Sequence, residues 1–105
     1  MSQINWTAKR NQIPHRVQVG SRKYFEILWV DSFTNPLILG ETRFTEKQIV
    51  LKKGLSDKLT VITYAHEYLH AISDCHNIQL TEKQILAFEK AFPYIFKKEN
   101  LFGAK

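Results

Sequence analysis

SDKLTVITYAHEYLHAISDCHN, residues 56–77, decides how this chain is read. Its apolar residues, Leu59, Val61, Ile62, Ala65, Leu69 and Ile72, fall on most sides of a spiral with 3.6 residues per turn. A helix that is apolar nearly all round is buried nearly all round. Ser56 offers a side-chain oxygen to the first free N–H groups, and Asp57 puts a negative charge in the first turn, where the helix dipole favours it. Asn77 is suited to the left-handed residue that ends such a helix. The rest of the chain must therefore cover this helix.

Towards the N-terminus the period changes to two. His15 to Val19 alternates, with Val17 and Val19 on one face and Arg16 and Gln18 on the other. Gly20-Ser21 is a hairpin signal. Lys23 to Val30, KYFEILWV, is rich in aromatic and β-branched residues and reads as a central strand. Asp31 to Pro36 is a loop with Asn35-Pro36 as its turn. Leu37 to Phe44 reads as a third strand, with Gly40 a bulge or a point of close approach. Thr45 to Lys47 turns the chain, Gln48 to Lys52 is a fourth strand, and Gly54 ends it. Residues 1–13 have no clear period and read as an N-terminal basic arm, with Trp6 pinned to the domain.

Towards the C-terminus, Thr81 N-caps a second helix and Gln84 occupies the capping-box position. The apolar stripe of that helix is Ile85, Phe88, Phe92, Ile95 and Phe96, and Pro93 within it predicts a kink or an early end. The expected fold class is α+β: a small antiparallel sheet of three to four strands followed by two packed helices, in one domain over residues 1–105.

Composition agrees with a single small globule. The chain has 105 residues, 44% of them hydrophobic and 24% charged, with four glycines and three prolines, unlike a disordered or fibrous sequence. No apolar run is long enough to span a bilayer, and no apolar segment follows Met1 as a secretory signal would, so no membrane partner is expected. A lone cysteine, Cys75, fits a reducing, cytoplasmic setting. The net charge of +5 arises entirely before Glu26, where Lys9, Arg10, Arg16, Arg22 and Lys23 meet no acid. Such a basic segment offers nucleic acid or another anion as a lesser alternative partner.

Within the decisive helix, His66-Glu67-Tyr68-Leu69-His70 is an H-E-x-x-H motif. Residues i and i+4 differ by about 40° around a helix, so both imidazoles can grip one metal ion. Glu67, about 100° from His66, is placed to reach a water rather than the ion. That division of labour suits zinc, a zinc-activated water and a glutamate general base. Tyr64 and Tyr68 flank the motif and can pack or hydrogen-bond an oxyanion.

Catalytic zinc usually takes three protein ligands. His76 nearly completes the metzincin spacing, but Ser73 stands where that pattern needs Gly, and no methionine follows. Asp74 continues the His66–His70 line and suits an outer acceptor for His70. Glu89 lies among the apolar residues of the second helix, and Glu82, in its first turn, shares that side.

From Gly40 to Leu101 the chain resembles a family of small phage and prophage H-E-x-x-H proteins regarded as metallopeptidases. The resemblance lies in Gly40-Glu41-Thr42, in His66 to Ile72, in Leu80-Thr81-Glu82 and, loosely, in Phe96 to Asn100. It implies a minimal gluzincin-like or SprT-like zincin core, with Glu82 as the third metal ligand and the Gly40 to Phe44 strand lining a peptide cleft. The sequence-based expectation is thus a zinc metallopeptidase acting on a peptide or protein substrate, with His66, His70 and Glu82 on Zn2+ and Glu67 as the catalytic base. The alternative is a zinc-stabilised binding module whose basic arm contacts DNA or another anion.

Overall fold

The computed structural model describes residues 4–95, and for 92–95 the backbone alone. In chain order the elements are α1 (Trp6–Asn11), β1 (Arg16–Gly20), β2 (Lys23–Val30), β3 (Gly40–Arg43), β4 (Gln48–Lys52), α2 (Asp57–Cys75) and α3 (Glu82–Ile95). The fold class is α+β, as expected, with a sheet preceding two packed helices. No described helix is long and apolar enough to cross a membrane.

The sheet is mixed rather than antiparallel. Its order is β1-β2-β4-β3, with β1–β2 and β3–β4 antiparallel but β2 and β4 parallel, Ile27 opposite Ile49 and Trp29 opposite Leu51. Pairing each strand with its predecessor predicts a meander. The connection from Val30 to Gly40 is instead long enough to span two strand spacings, about 10 Å, and β4 returns into the gap. β3 is consequently an edge strand, and it is shorter than the Leu37–Phe44 expectation.

Two faces follow from the pleat. Val17, Val19, Phe25, Ile27, Ile49 and Leu51 point inward and meet Val61, Tyr64, Ala65, Tyr68 and Ala71 of α2 in one core. Gly40 and Thr42 of β3 also face α2. A Cβ on Gly40 would stand 2.6 Å from Thr63 Cγ2 and 3.2 Å from Glu67 Cγ, so glycine permits a strand–helix approach that no side chain would.

The caps form as the sequence suggests. Ser56 Oγ accepts from Leu59 N–H at 3.2 Å. Thr81 and Gln84 exchange reciprocal bonds of 2.9 and 3.1 Å, a complete capping box. Asn77 takes φ 55° directly after the His76 C-cap. Along α3 the expected stripe is only partly buried, with Ile85 at 1% exposure and Phe88 at 41%. The helix persists through Pro93 to Ile95. The side chains of Phe92 and Ile95, and the Phe96–Asn100 segment, lie outside the described residues.

The expected irregular arm contains a helix. Asn5 caps α1 through Ala8 N–H at 3.0 Å, and Thr7 Oγ1 donates to Asp57 Oδ2 at 2.6 Å. Lys9 is buried, and Arg10 lies 5.1 Å over the Trp29 ring and 3.6 Å from Asp57. Six residues show too little of a 3.6-residue period to be recognised, and α1 is held by these contacts with α2 and β2 rather than by propensity. Trp6 does pack against the core.

Candidate metal centre

Position along α2 sets out the motif. Tyr64, Ala65, Tyr68 and Leu69 point into the packed interior, whereas His66, Glu67 and His70 emerge half-buried towards β3 and α3. The Nε2 atoms of His66 and His70 stand 3.2 Å apart. Glu82, one residue into α3, places Oε2 at 3.8 Å from His66 Nε2 and Oε1 at 3.6 Å from His70 Nε2. One ligand atom from each of His66, His70 and Glu82 lies within 4.8 Å of the others. Nitrogen and oxygen ligands about 2.0–2.1 Å from a tetrahedral ion are separated by about 3.3 Å, so the set is close to the spacing zinc requires.

The two other glutamates take different places. Glu89 Oε1 lies 3.4 Å from Nδ1 of His66, on the far side of the ring from the ligand cluster, and its side chain is 12% exposed against 67% for Glu82. A carboxylate at Nδ1 favours the tautomer whose Nε2 lone pair faces the cluster. Burial pushes the Glu89 carboxyl up; His66 draws it back, and the neighbouring charges of Glu82 and Glu67 push it up again. Three carboxylates converging on two imidazoles repel one another, and a cation at their centre relieves that repulsion.

Glu67 is held from the sheet. Thr42 Oγ1 lies 2.7 Å from Glu67 Oε1, to which it donates, and 3.0 Å from the Glu67 carbonyl oxygen. Sequence spacing cannot reveal this contact, because 25 residues separate the partners and only the close approach at Gly40 joins them. Gly40-Glu41-Thr42 was visible as a sequence segment, but not the Thr42–Glu67 pairing.

The remaining candidates lie elsewhere. His76 Nε2 is 2.7 Å from the Val19 carbonyl oxygen, tethering the end of α2 to β1. The Asp74 carboxylate is exposed and, among the described residues, makes no hydrogen bond to His70. Tyr64 and Tyr68 stack in parallel with ring centres 5.8 Å apart, and burial pushes both hydroxyls up. Tyr68 donates to Gln18 O at 3.1 Å, so its hydroxyl serves packing against β1. Of the basic residues before Glu26, Lys9 and Arg10 are engaged with the fold, whereas Arg16, Arg22 and Lys23 are exposed, with Arg16 4.4 Å over the Tyr24 ring.

No family model, curated protein or solved structure matches this chain. Its functional reading therefore rests on its own residues.

Proposed function

We propose that this chain is a zinc-dependent metallopeptidase in which His66, His70 and Glu82 hold the ion and Glu67 is the general base. The observation that carries the reading is the convergence of three ligand side chains from two helices, with a fourth, non-ligating carboxylate held beside them by Thr42. When bound, zinc would act as a Lewis acid towards the scissile carbonyl and lower the pKa of a water towards about 7.

The protein groups account for the proton. Glu67 accepts it from the attacking water as the carbon–oxygen bond forms, and delivers it to the amide nitrogen as the carbon–nitrogen bond breaks. The Thr42 hydroxyl occupies Oε1 of Glu67 and leaves Oε2 for that transfer. β3 pairs with β4 along one edge, and its other edge pairs with no strand among the described residues. An extended substrate can add there as a further strand beside the ligands. A single cysteine without a disulfide is consistent with the cytoplasm as the working compartment.

Metal analysis of the purified chain, combined with Glu67→Gln, tests the proposal. The expected result is one zinc per chain in both proteins, with cleavage of unfolded casein only by the wild type. A wild-type chain that takes up no zinc overturns it.

A further inference from the structure

Past His70, the last turns of α2 form one wall of two adjoining cavities. The nearer, about 390 Å³, is lined by His70, Phe44 and Asp74 among others. The farther, about 400 Å³, is lined by Asp74 together with Arg22, Lys23 and Lys47. Asp74 lines both, so the two cavities lie on either side of one side chain. Phe44 and Lys47 bracket the turn between β3 and β4, which supplies the opposite wall. An extended chain passing Asp74 from one cavity to the other would run from His70 to three cations, and this path is the groove.

Arg22 and Lys23 are exposed, and Lys47 Nζ lies 5.6 Å over the Phe25 ring, a face contact that leaves its N–H donors for a ligand. Among the described residues none of the three is ion-paired. One carboxylate against three cations leaves the far lining positive. We propose that this groove takes an acidic peptide segment, so that the substrates of the metal centre are polypeptides carrying carboxylate side chains on one side of the bond that is cut. The assignment rests on the metallopeptidase reading. Asp74 lies about 6 Å beyond His70 along the helix axis, and an extended peptide advances about 3.3 Å per residue, so the acidic side chains fall roughly two to four residues from that bond. A peptide is favoured over nucleic acid because the groove begins at a residue of the metal centre and its cations surround a pocket instead of forming a long stripe.

The test measures binding separately from cleavage. Zinc-loaded Glu67→Gln protein is titrated against fluorescein-labelled decapeptides that are identical except for three consecutive Glu or three Gln, and anisotropy is read. The Glu peptide is expected to bind about tenfold more tightly, as three exposed charge pairs allow, with the difference shrinking in high salt. The combined variant Arg22→Gly, Lys23→Gln, Lys47→Gly should abolish the preference. Arg22 and Lys47 hold φ of 57° and 60°, where glycine is at ease, so these charges are removed without straining the turns. Unchanged zinc content and melting temperature confirm that the variant is folded.

Equal binding of the two peptides, or a preference that survives in the variant, overturns the proposal. So does a mixed-sequence single-stranded oligonucleotide that displaces the Glu peptide through the same three cations, since the groove would then belong to nucleic acid. A zinc-loaded chain without acidic preference removes this assignment alone, whereas a chain that takes up no zinc removes the metallopeptidase reading and the substrate assignment with it.

Discussion

Gly40→Ala adds one methyl group at the place where the sheet touches α2, the helix that carries the H-E-x-x-H motif. The new Cβ would lie 2.6 Å from Thr63 Cγ2, 3.2 Å from Glu67 Cγ and 3.4 Å from the Val50 carbonyl oxygen. Glu67 can rotate away, but Thr63 is β-branched, helical and buried, and Val50 O is backbone. Forcing an extra carbon into a packed contact costs about 1–3 kcal/mol. Gly40 does not hold a left-handed backbone, so alanine recovers about 0.4–1 kcal/mol by narrowing the unfolded ensemble. The net loss is about 1–2 kcal/mol, or roughly 4–16 °C in melting temperature for a domain of this size. Relief should come from Thr63→Ala, which deletes the methyl in the way. The double variant should be more stable than the sum of the single losses by on the order of 1 kcal/mol. Thermal and urea melts of the four proteins supply the cycle. A Gly40→Ala protein as stable as the wild type, or strictly additive losses, would refute the claim that this contact holds β3 against α2.

Other outcomes follow from the same geometry. Thr42→Val should keep zinc but lower cleavage by about 10- to 100-fold through loss of the bond that orients Glu67, while Thr42→Ser restores most of it; steady-state kinetics beside metal analysis decide this. Glu89→Gln should weaken zinc binding by about 10- to 100-fold while preserving one zinc per chain, whereas Glu82→Gln, which removes the proposed third ligand, should weaken it more; competition with a chromogenic chelator ranks them, and the reverse order would make Glu89 the ligand. Chelation should lower the melting temperature by about 10 °C or more, because zinc at a hundred times its Kd contributes about 2.7 kcal/mol. Hydrogen exchange should then quicken most in α3, whose described residues include only one fully buried side chain, Ile85. Equal protection with and without zinc would contradict that coupling.

Local signals carried much of the fold. The span of β2, both helix caps of the C-terminal half and the left-handed Asn77 could be read directly, because capping, alternation and 3.6-residue periodicity depend on neighbours in the chain. The parallel β2–β4 pair could not, since strand composition is indifferent to the direction of a partner. Nor could α1, whose six residues are fixed by Asp57 and Trp29 rather than by any period of their own.

The candidate centre divides in the same way. Helical spacing alone aligns His66 with His70 and sets Glu67 to one side, so the sequence by itself determined that two imidazoles share one face of the helix with a carboxylate beside them. It left Glu82, Glu89 and His76 as competitors for the third position, because each depends on how separate elements pack. The tertiary structure brings Glu82 to the Nε2 side of both rings, Glu89 to Nδ1 of His66 and His76 to the Val19 carbonyl. It also joins Thr42 to Glu67 across 25 residues. Distances of a few ångströms between distant residues arise only when side chains on two faces compete for the same interior, and a glycine at position 40 lets that approach close.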